Sequence, residues 1–313
     1  MTSKINSPRF AFYYLLALVA LIFMAIATGQ ILFQIINQTL PDIFGQYGTD
    51  FSSDVLKFAI SAILIASPIF YVVSNLIYKS LFKGEMDKDS STRRWLTYFI
   101  LLVSAVIIIV FLIVTINNFL NGDWTSKFLL KMLTIIGIAA SVFSFYLYDI
   151  RRDEVLNKKS KVLQIYFFAS LAVVVIVFIS ALFIVESPAE ARNRRVDERI
   201  INNFYNIESS VNSYYNINNK LPASLDELKK GAISSDSLID PSTQEMLVYQ
   251  PDVNGAYQLC ANFRTDTRNS KDAAYQYLDE NKRHLQGYQC LDFKTFIDGL
   301  KESAPIEAVP VTK

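Results

Sequence analysis

The sequence predicts a membrane protein in two parts: an all-α bundle of five transmembrane helices, followed by a small extracytoplasmic α+β domain. Three observations carry this expectation. Apolar residues make up 52% of the 313 residues and mean hydropathy is +0.27, above the usual range of soluble proteins. Five separate apolar runs each reach the roughly 20 residues that a helix needs to cross a bilayer core of about 30 Å. After Pro188 these runs stop, and the apolar period becomes first helical and then alternating.

The first run extends from Phe10 to Gln38 and the second from Val55 to Tyr78. The third covers Trp95–Phe119, the fourth Phe128–Tyr148 and the fifth Val162–Val185. Helices are the form expected because lipid offers no hydrogen-bond partner to an unpaired backbone group. The first run is expected to be retained, since its apolar stretch exceeds that of a signal peptide and no small-residue cleavage pattern follows it. Pro68 falls inside the second run, where it removes a backbone donor and favours a kink.

Loop charges set the expected orientation. Lys4 and Arg9 precede the first run. Lys79, Lys83, Lys88, Arg93 and Arg94 follow the second, and Arg151, Arg152, Lys158, Lys159 and Lys161 follow the fourth. The alternate loops hold Lys127 together with Asp42, Asp50, Asp54 and Asp123. By the positive-inside rule the N-terminus is cytoplasmic, and five crossings put the last segment outside. Arg192, Arg194, Arg195 and Arg199 pull the other way, but Glu190, Asp197 and Glu198 interleave with them as on a solvated helix face. The expected arrangement is thus a multi-pass membrane protein with the C-terminal domain extracytoplasmic.

Charges are absent from the centres of the runs, where they commonly mark ion pathways. Gln30, Gln34 and Asn37 instead fall at i, i+4 and i+7 on one face of the first helix. That face fits hydrogen bonding to a neighbouring helix, or the lining of a small polar cavity.

Beyond Pro188, Val196, Ile200, Phe204, Ile207 and Val211 form one helical stripe that ends near the asparagines of YYNINNKLP. Ser224 and Glu227 have the spacing of a capping box, announcing a short helix with Leu225 and Leu228 as its apolar contacts. MLVYQP (246–251) and AYQLCANF (256–263), joined through Asn254-Gly255, read as a β-hairpin, and GYQCLDF (287–293) as a third strand. Residues 264–286 read as a polar loop with some helix, and 302–313 as a disordered tail. The expected domains are 1–152 (four transmembrane helices), 153–187 (a cytoplasmic loop and the fifth helix) and 188–301 (extracytoplasmic).

Catalytic chemistry finds little footing. His284 is the sole histidine and has no neighbouring cysteine to complete a metal site. Asp240, Asp252, Asp266 and Asp279 lack the spacing of a calcium loop and fit turns better. No nucleophile elbow, zinc-protease or phosphate-loop pattern occurs. The expectation is therefore a non-enzyme without catalytic residues, cofactor or metal. A net charge of +1 gives no basic face for nucleic acid. Cys260 and Cys290 are the only cysteines, and in an oxidising compartment an isolated pair points to a disulfide. The spacing excludes a CxxC redox site, so the bridge is expected to be structural.

Two resemblances add to this reading. SPRFAFYYLLALVALIFMAIATGQILFQIIN, with its aromatic-rich start and GQILFQIIN end, resembles the bacterial four-helix membrane family known as domain of unknown function 5671, followed through about Arg152. That family implies a bacterial membrane protein without an assigned activity. The order YYNINNKLPASLDEL, DPSTQEMLVYQ, NGAYQLCANF, GYQC resembles the periplasmic part of type IV pilins and type II secretion pseudopilins. No leader site precedes Val162 and four helices come first, so this resemblance implies the fold rather than polymerisation. Together they imply an interaction or assembly component of an envelope, pilus or secretion system, with the lipid bilayer and a protein bound through 188–301 as partners. A homo-oligomer stays open. The alternative is solute transport or signal sensing, with the outer domain gating the bundle.

Overall fold

The computed structural model describes residues 8–40, 51–85, 90–122, 124–152, 160–229, 233–252, 255–268 and 278–295, with 270, 272 and 275 singly. The predicted tail at 302–313 lies outside them. Five long helices come first: α1 (Pro8–Thr39), α2 (Ser53–Phe82), α3 (Ser91–Leu120), α4 (Ser126–Arg151) and α5 (Lys161–Leu182). All five are long and apolar enough to cross a membrane.

Most of the helices overrun the apolar runs because their backbone bonds continue to a polar cap. The side chains of Ser52, Thr125 and Ser160 accept from the N–H groups of Val55, Phe128 and Leu163, closing the first turns of α2, α4 and α5. Apolar patterning alone does not mark those termini. α2 continues through Pro68, with the Ser67 hydroxyl donating to the Ile63 carbonyl (2.6 Å).

The chain divides into two compact units, Met1–Val185 with Lys271–Ala273, and Glu186–Ser270 with Ala274–Lys313. In the first, α1 packs on α2, α3 on α4, and α5 against α1 and α2. Its core combines Ile31, Leu56 and Ile63 with Ala27, Ala59 and Ala181, small residues that allow close helix approach. Hydroxyls add interhelical bonds: Tyr71 donates to Ser170 (3.2 Å) and Tyr166 to Ser144 (3.1 Å). Large apolar side chains such as Leu64, Ile65, Ile113 and Leu133 remain exposed, as a lipid-facing surface requires. The sequence expectation set the fifth helix apart from the other four. Val174, Val177 and Ala181 of α5 instead join the common core of the first unit.

The second unit starts with α6 (Pro188–Asn218) and includes the short α7 (Leu225–Leu228). Strands β1 (Val248–Pro251), β2 (Ala256–Phe263) and β3 (Gly287–Lys294) pair antiparallel in chain order. The α6 stripe is buried as its spacing predicts, with Ile200, Phe204, Ile207 and Val211 inaccessible to solvent. Phe204 meets Phe263 and Phe293 edge-on, at centroid distances of 6.1 and 6.0 Å. Tyr257, Leu259, Ala261 and Phe263 alternate along β2 into this core.

Local signals fared unevenly. Gly255 takes the positive φ (76°) of the predicted turn, while Asn254 lies outside the described residues. The first strand is shorter than predicted because the chain enters it by other pairings: Met246 bridges Ile239, and the Leu247 N–H donates to the Leu238 carbonyl (2.9 Å). The capping box expected at Ser224 does not form. Its side chain makes no cap bond, and Glu227 accepts from the Tyr214 hydroxyl (2.9 Å) and the Ala223 N–H (3.2 Å) instead. A full box occurs at the start of α6, where Ser187 and Glu190 satisfy one another's backbone N–H groups at 3.2 and 2.8 Å.

Candidate functional site

The sheet of the second unit turns one face to the core and the other outward, because successive residues of a strand alternate sides. Cys260 belongs to the outward set, opposite Val248 on β1 and Cys290 on β3. The two cysteines, with Cα atoms 3.9 Å apart, form the expected disulfide. Cys260 is only 1% exposed, whereas Val248 (40%) and Tyr288 (59%) flank the bridge in the open. Further along, Gln258 donates to Asp292 across the strands (2.8 Å). The result is a covalently fastened face with an apolar part and a polar part.

A cleft of about 1010 Å³ opens at the polar end, lined among others by Glu208, Tyr257, Asp279, Lys282 and Asp292. Lys282 is buried there, 2.8 Å from Glu208 and 3.3 Å from Asp279, with its ammonium 3.4 Å from the centre of the Tyr205 ring. Burial works against the Lys282 charge, but the bond and charge of Glu208, helped by Asp279, outweigh it and hold the pKa above its ordinary value. A cation so held is an organiser of α6 and the following loop, not a nucleophile. Burial also raises the pKa of the Tyr257 hydroxyl at the floor of the cleft.

Asp197, Thr265 and His284 meet where β2 ends. The carboxylate of Asp197 accepts from the N–H groups of Arg264 (3.0 Å) and Thr265 (2.7 Å) and from the Thr265 hydroxyl (2.6 Å). His284, 1% exposed, stacks on Phe263 at 3.8 Å, and its backbone N–H donates to the Thr267 hydroxyl (2.9 Å). Burial lowers the pKa of His284 and the charge of Asp197 opposes this less strongly. The threonine proton points to the carboxylate rather than the imidazole, so the constellation fixes a loop and activates no nucleophile.

The polar residues of α1 are drawn partly inward. Gln34 and Asn37 are buried and Gln30 is half-buried. Gln34 Oε1 accepts the Ser52 N–H at 2.7 Å, tying α1 to the cap of α2. Asp240 accepts from the Ser242 N–H (2.7 Å) and hydroxyl (2.6 Å), and Asp266 from the Arg268 N–H (2.9 Å), both as turn formers. Among the described residues no three His, Cys, Asp or Glu side chains converge as metal ligands.

Sequence reasoning placed Asp197 and Arg194 on a solvated helix face, whereas packing buries both, and it missed Lys282 and the buried pair of Arg93 with Asp149 (2.8 Å) that joins α3 to α4. Their partners are too distant in the chain for any spacing rule to expose. The Ser187-Glu190 box, by contrast, stood in plain sight as S-x-x-E.

Five helices long and apolar enough to span a bilayer, with a small disulfide-bearing α+β unit, are compatible with the multi-pass membrane class. More specifically, residues 10–147 match the family described as Domain of unknown function (DUF5671), which takes in α1, α2, α3 and most of α4. No curated protein and no solved structure matches the chain significantly.

Proposed function

We propose that this protein anchors a pilin-like α+β domain on the outer side of a bacterial plasma membrane, as a non-enzymatic interaction or assembly component of an envelope, pilus or secretion system. The observation that carries the reading is the outward sheet face, in which the Cys260–Cys290 bridge fastens β2 to β3 beside exposed Val248 and Tyr288. A disulfide suits an oxidising compartment, and the basic residues of the loops at Lys79–Arg94 and Arg151–Lys161 support an orientation with that compartment opposite the cytoplasm. A long helix packed under a three-stranded meander supports the pilin-like element. Rigid aromatic and apolar groups on a flat face are what protein partners commonly engage. The alternative of solute passage along Gln30, Gln34 and Asn37 has less support, because Gln34 is committed to the Ser52 backbone.

A photo-crosslinking residue at Tyr288 of the full chain, expressed in the native cells, tests this. The expected result is a discrete adduct with an envelope protein that vanishes when the crosslinker sits at exposed Ile217. Equal, diffuse labelling from both positions argues against a partner at this face.

A further inference from the structure

We infer that the open edge of β3 pairs antiparallel with β3 of a second copy of this chain, joining the two sheets into one. β3 is an end strand, because the sheet runs β1-β2-β3. The ladder shows which way its backbone points. The Thr295 N–H donates to the Gly255 carbonyl (2.9 Å), one step beyond the Ala256–Lys294 pair. Bonded and non-bonded pairs alternate along an antiparallel ladder. Gly287, Gln289, Leu291 and Phe293 therefore bond to β2, while the N–H and C=O groups of Tyr288, Cys290, Asp292 and Lys294 point away from it. Among the described residues no other backbone group bonds to these four. Tyr288, Asp292 and Lys294 are exposed and Cys290 is half-buried.

An open edge is a template for another chain, and folded proteins commonly blunt it. The opposite edge of this sheet is blunted. The Asp252 N–H donates to the Ala256 carbonyl (2.9 Å), so by the same alternation Leu247 and Pro251 face away from β2. Pro251 has no N–H, and that of Leu247 is taken by the Leu238 carbonyl (2.9 Å). β3 has no such closure among the described residues, and the cleft of about 1010 Å³ opens beside Asp292–Lys294, leaving space for a further backbone. The charges of Asp292 and Lys294 do not obstruct one, because they stand on the outward face of the sheet. The edge calls for a strand whose N–H and C=O groups recur at every second residue, and β3 is itself that strand. Reversed, its four free residues map onto themselves in one register only: Tyr288 opposite the partner's Lys294 and Cys290 opposite the partner's Asp292, with Leu291 on the two-fold axis. That register sets an ammonium beside an aromatic ring and no charge directly opposite its own kind. A two-fold contact also consumes both edges at once and closes.

The test uses the full chain in a neutral detergent, with analytical ultracentrifugation over a dilution series. Wild type is expected to dimerise. Asp292→Pro removes an N–H that makes no bond within the sheet, so the fold is kept while association weakens about tenfold or more. Asp292→Ala keeps that N–H and should stay within about threefold of wild type. An intact Cys260–Cys290 bridge and unchanged amide exchange in β2 confirm the fold of each variant. Should Asp292→Pro misfold, Tyr288→Pro against Tyr288→Ala repeats the comparison at the other end of the strand. In native cells a photo-crosslinking residue at Lys294 is expected to give an adduct of twice the chain mass. A monomeric wild type, a dimer indifferent to proline at a folded edge, or equal losses from the proline and alanine variants overturns the pairing. So does a Lys294 adduct with a different protein, which would assign the edge to another chain. Pairing at the edge leaves the outward face open, and Asp292→Pro should leave an envelope adduct at that face intact, so this inference and the proposed function fail separately.

Discussion

Cys260 and Cys290 link neighbouring strands across a sequence separation of 30. In the chain-entropy view the bridge mainly restricts the unfolded chain, contributing about 3–4 kcal/mol for a loop of that size. Reduction should therefore lower hydrogen-exchange protection in β2 and β3 by roughly 100-fold or more, leaving α1–α4 unaffected. Unchanged protection after verified reduction would show that the sheet owes little to the bridge. His284 makes a second prediction. Its pKa lies below the ordinary value in the folded state, chiefly through burial, whereas the unfolded chain takes up this proton near pH 6.5. The unfolded state thus binds more protons as pH falls. The stabilising contribution is complete above about pH 7 and is lost as pH drops from about 6.5 toward the folded-state value. Compared with His284→Phe, wild type should lose more protection in the second unit between about pH 7.5 and 5.5, and parallel curves would refute the assignment. The sequence marked His284 as a lone, non-catalytic histidine but not its stacking on Phe263. No local pattern reports which ring lies 21 positions away.

Two serines followed by glutamate three residues later illustrate what an element's sequence conveys. Ser187 forms the complete box and Ser224 does not. Ser187→Ala should weaken the first turn of α6 by about 1 kcal/mol, read as faster exchange of the Glu190 and Ala191 amides. Ser224→Ala should stay within about 0.5 kcal/mol. The spacing is identical, but Tyr214 draws Glu227 away, a contact set by how α6 and α7 pack. At the β1–β2 turn, Gly255 has φ 76°, and a Cβ there meets the Thr295 hydroxyl. Gly255→Ala should cost about 1–3 kcal/mol, detected as early thermal loss of the sheet. Here the Asn-Gly pair disclosed the turn, though not the Thr295 side chain that closes over it.

For the molecule as a whole, orientation is the testable quantity. An impermeant maleimide added to intact cells should leave Cys260 unlabelled until reductant is present and then modify it. In a cysteine-free background, Ser160→Cys should react only after permeabilisation. Labelling of Ser160→Cys in intact cells would invert the proposed topology.

The sequence by itself determined the five bilayer-length helices, the stripe of α6, the β1–β2 hairpin and the cysteine pairing, while the place of β3 beside β2 came from the structure. Each rests on period, length or composition, which act locally or need only one pairing. Helix ends were less legible, since Ser52, Thr125 and Ser160 extend them past the apolar runs. Only the tertiary structure decided that Gln34 serves the cap of α2, that Asp197 organises the end of β2, and that Arg93 and Asp149 meet in a buried pair. Those outcomes join residues far apart in the chain, and which partners meet is set by the packing of whole elements, where a buried polar group must find its bond or its ligand.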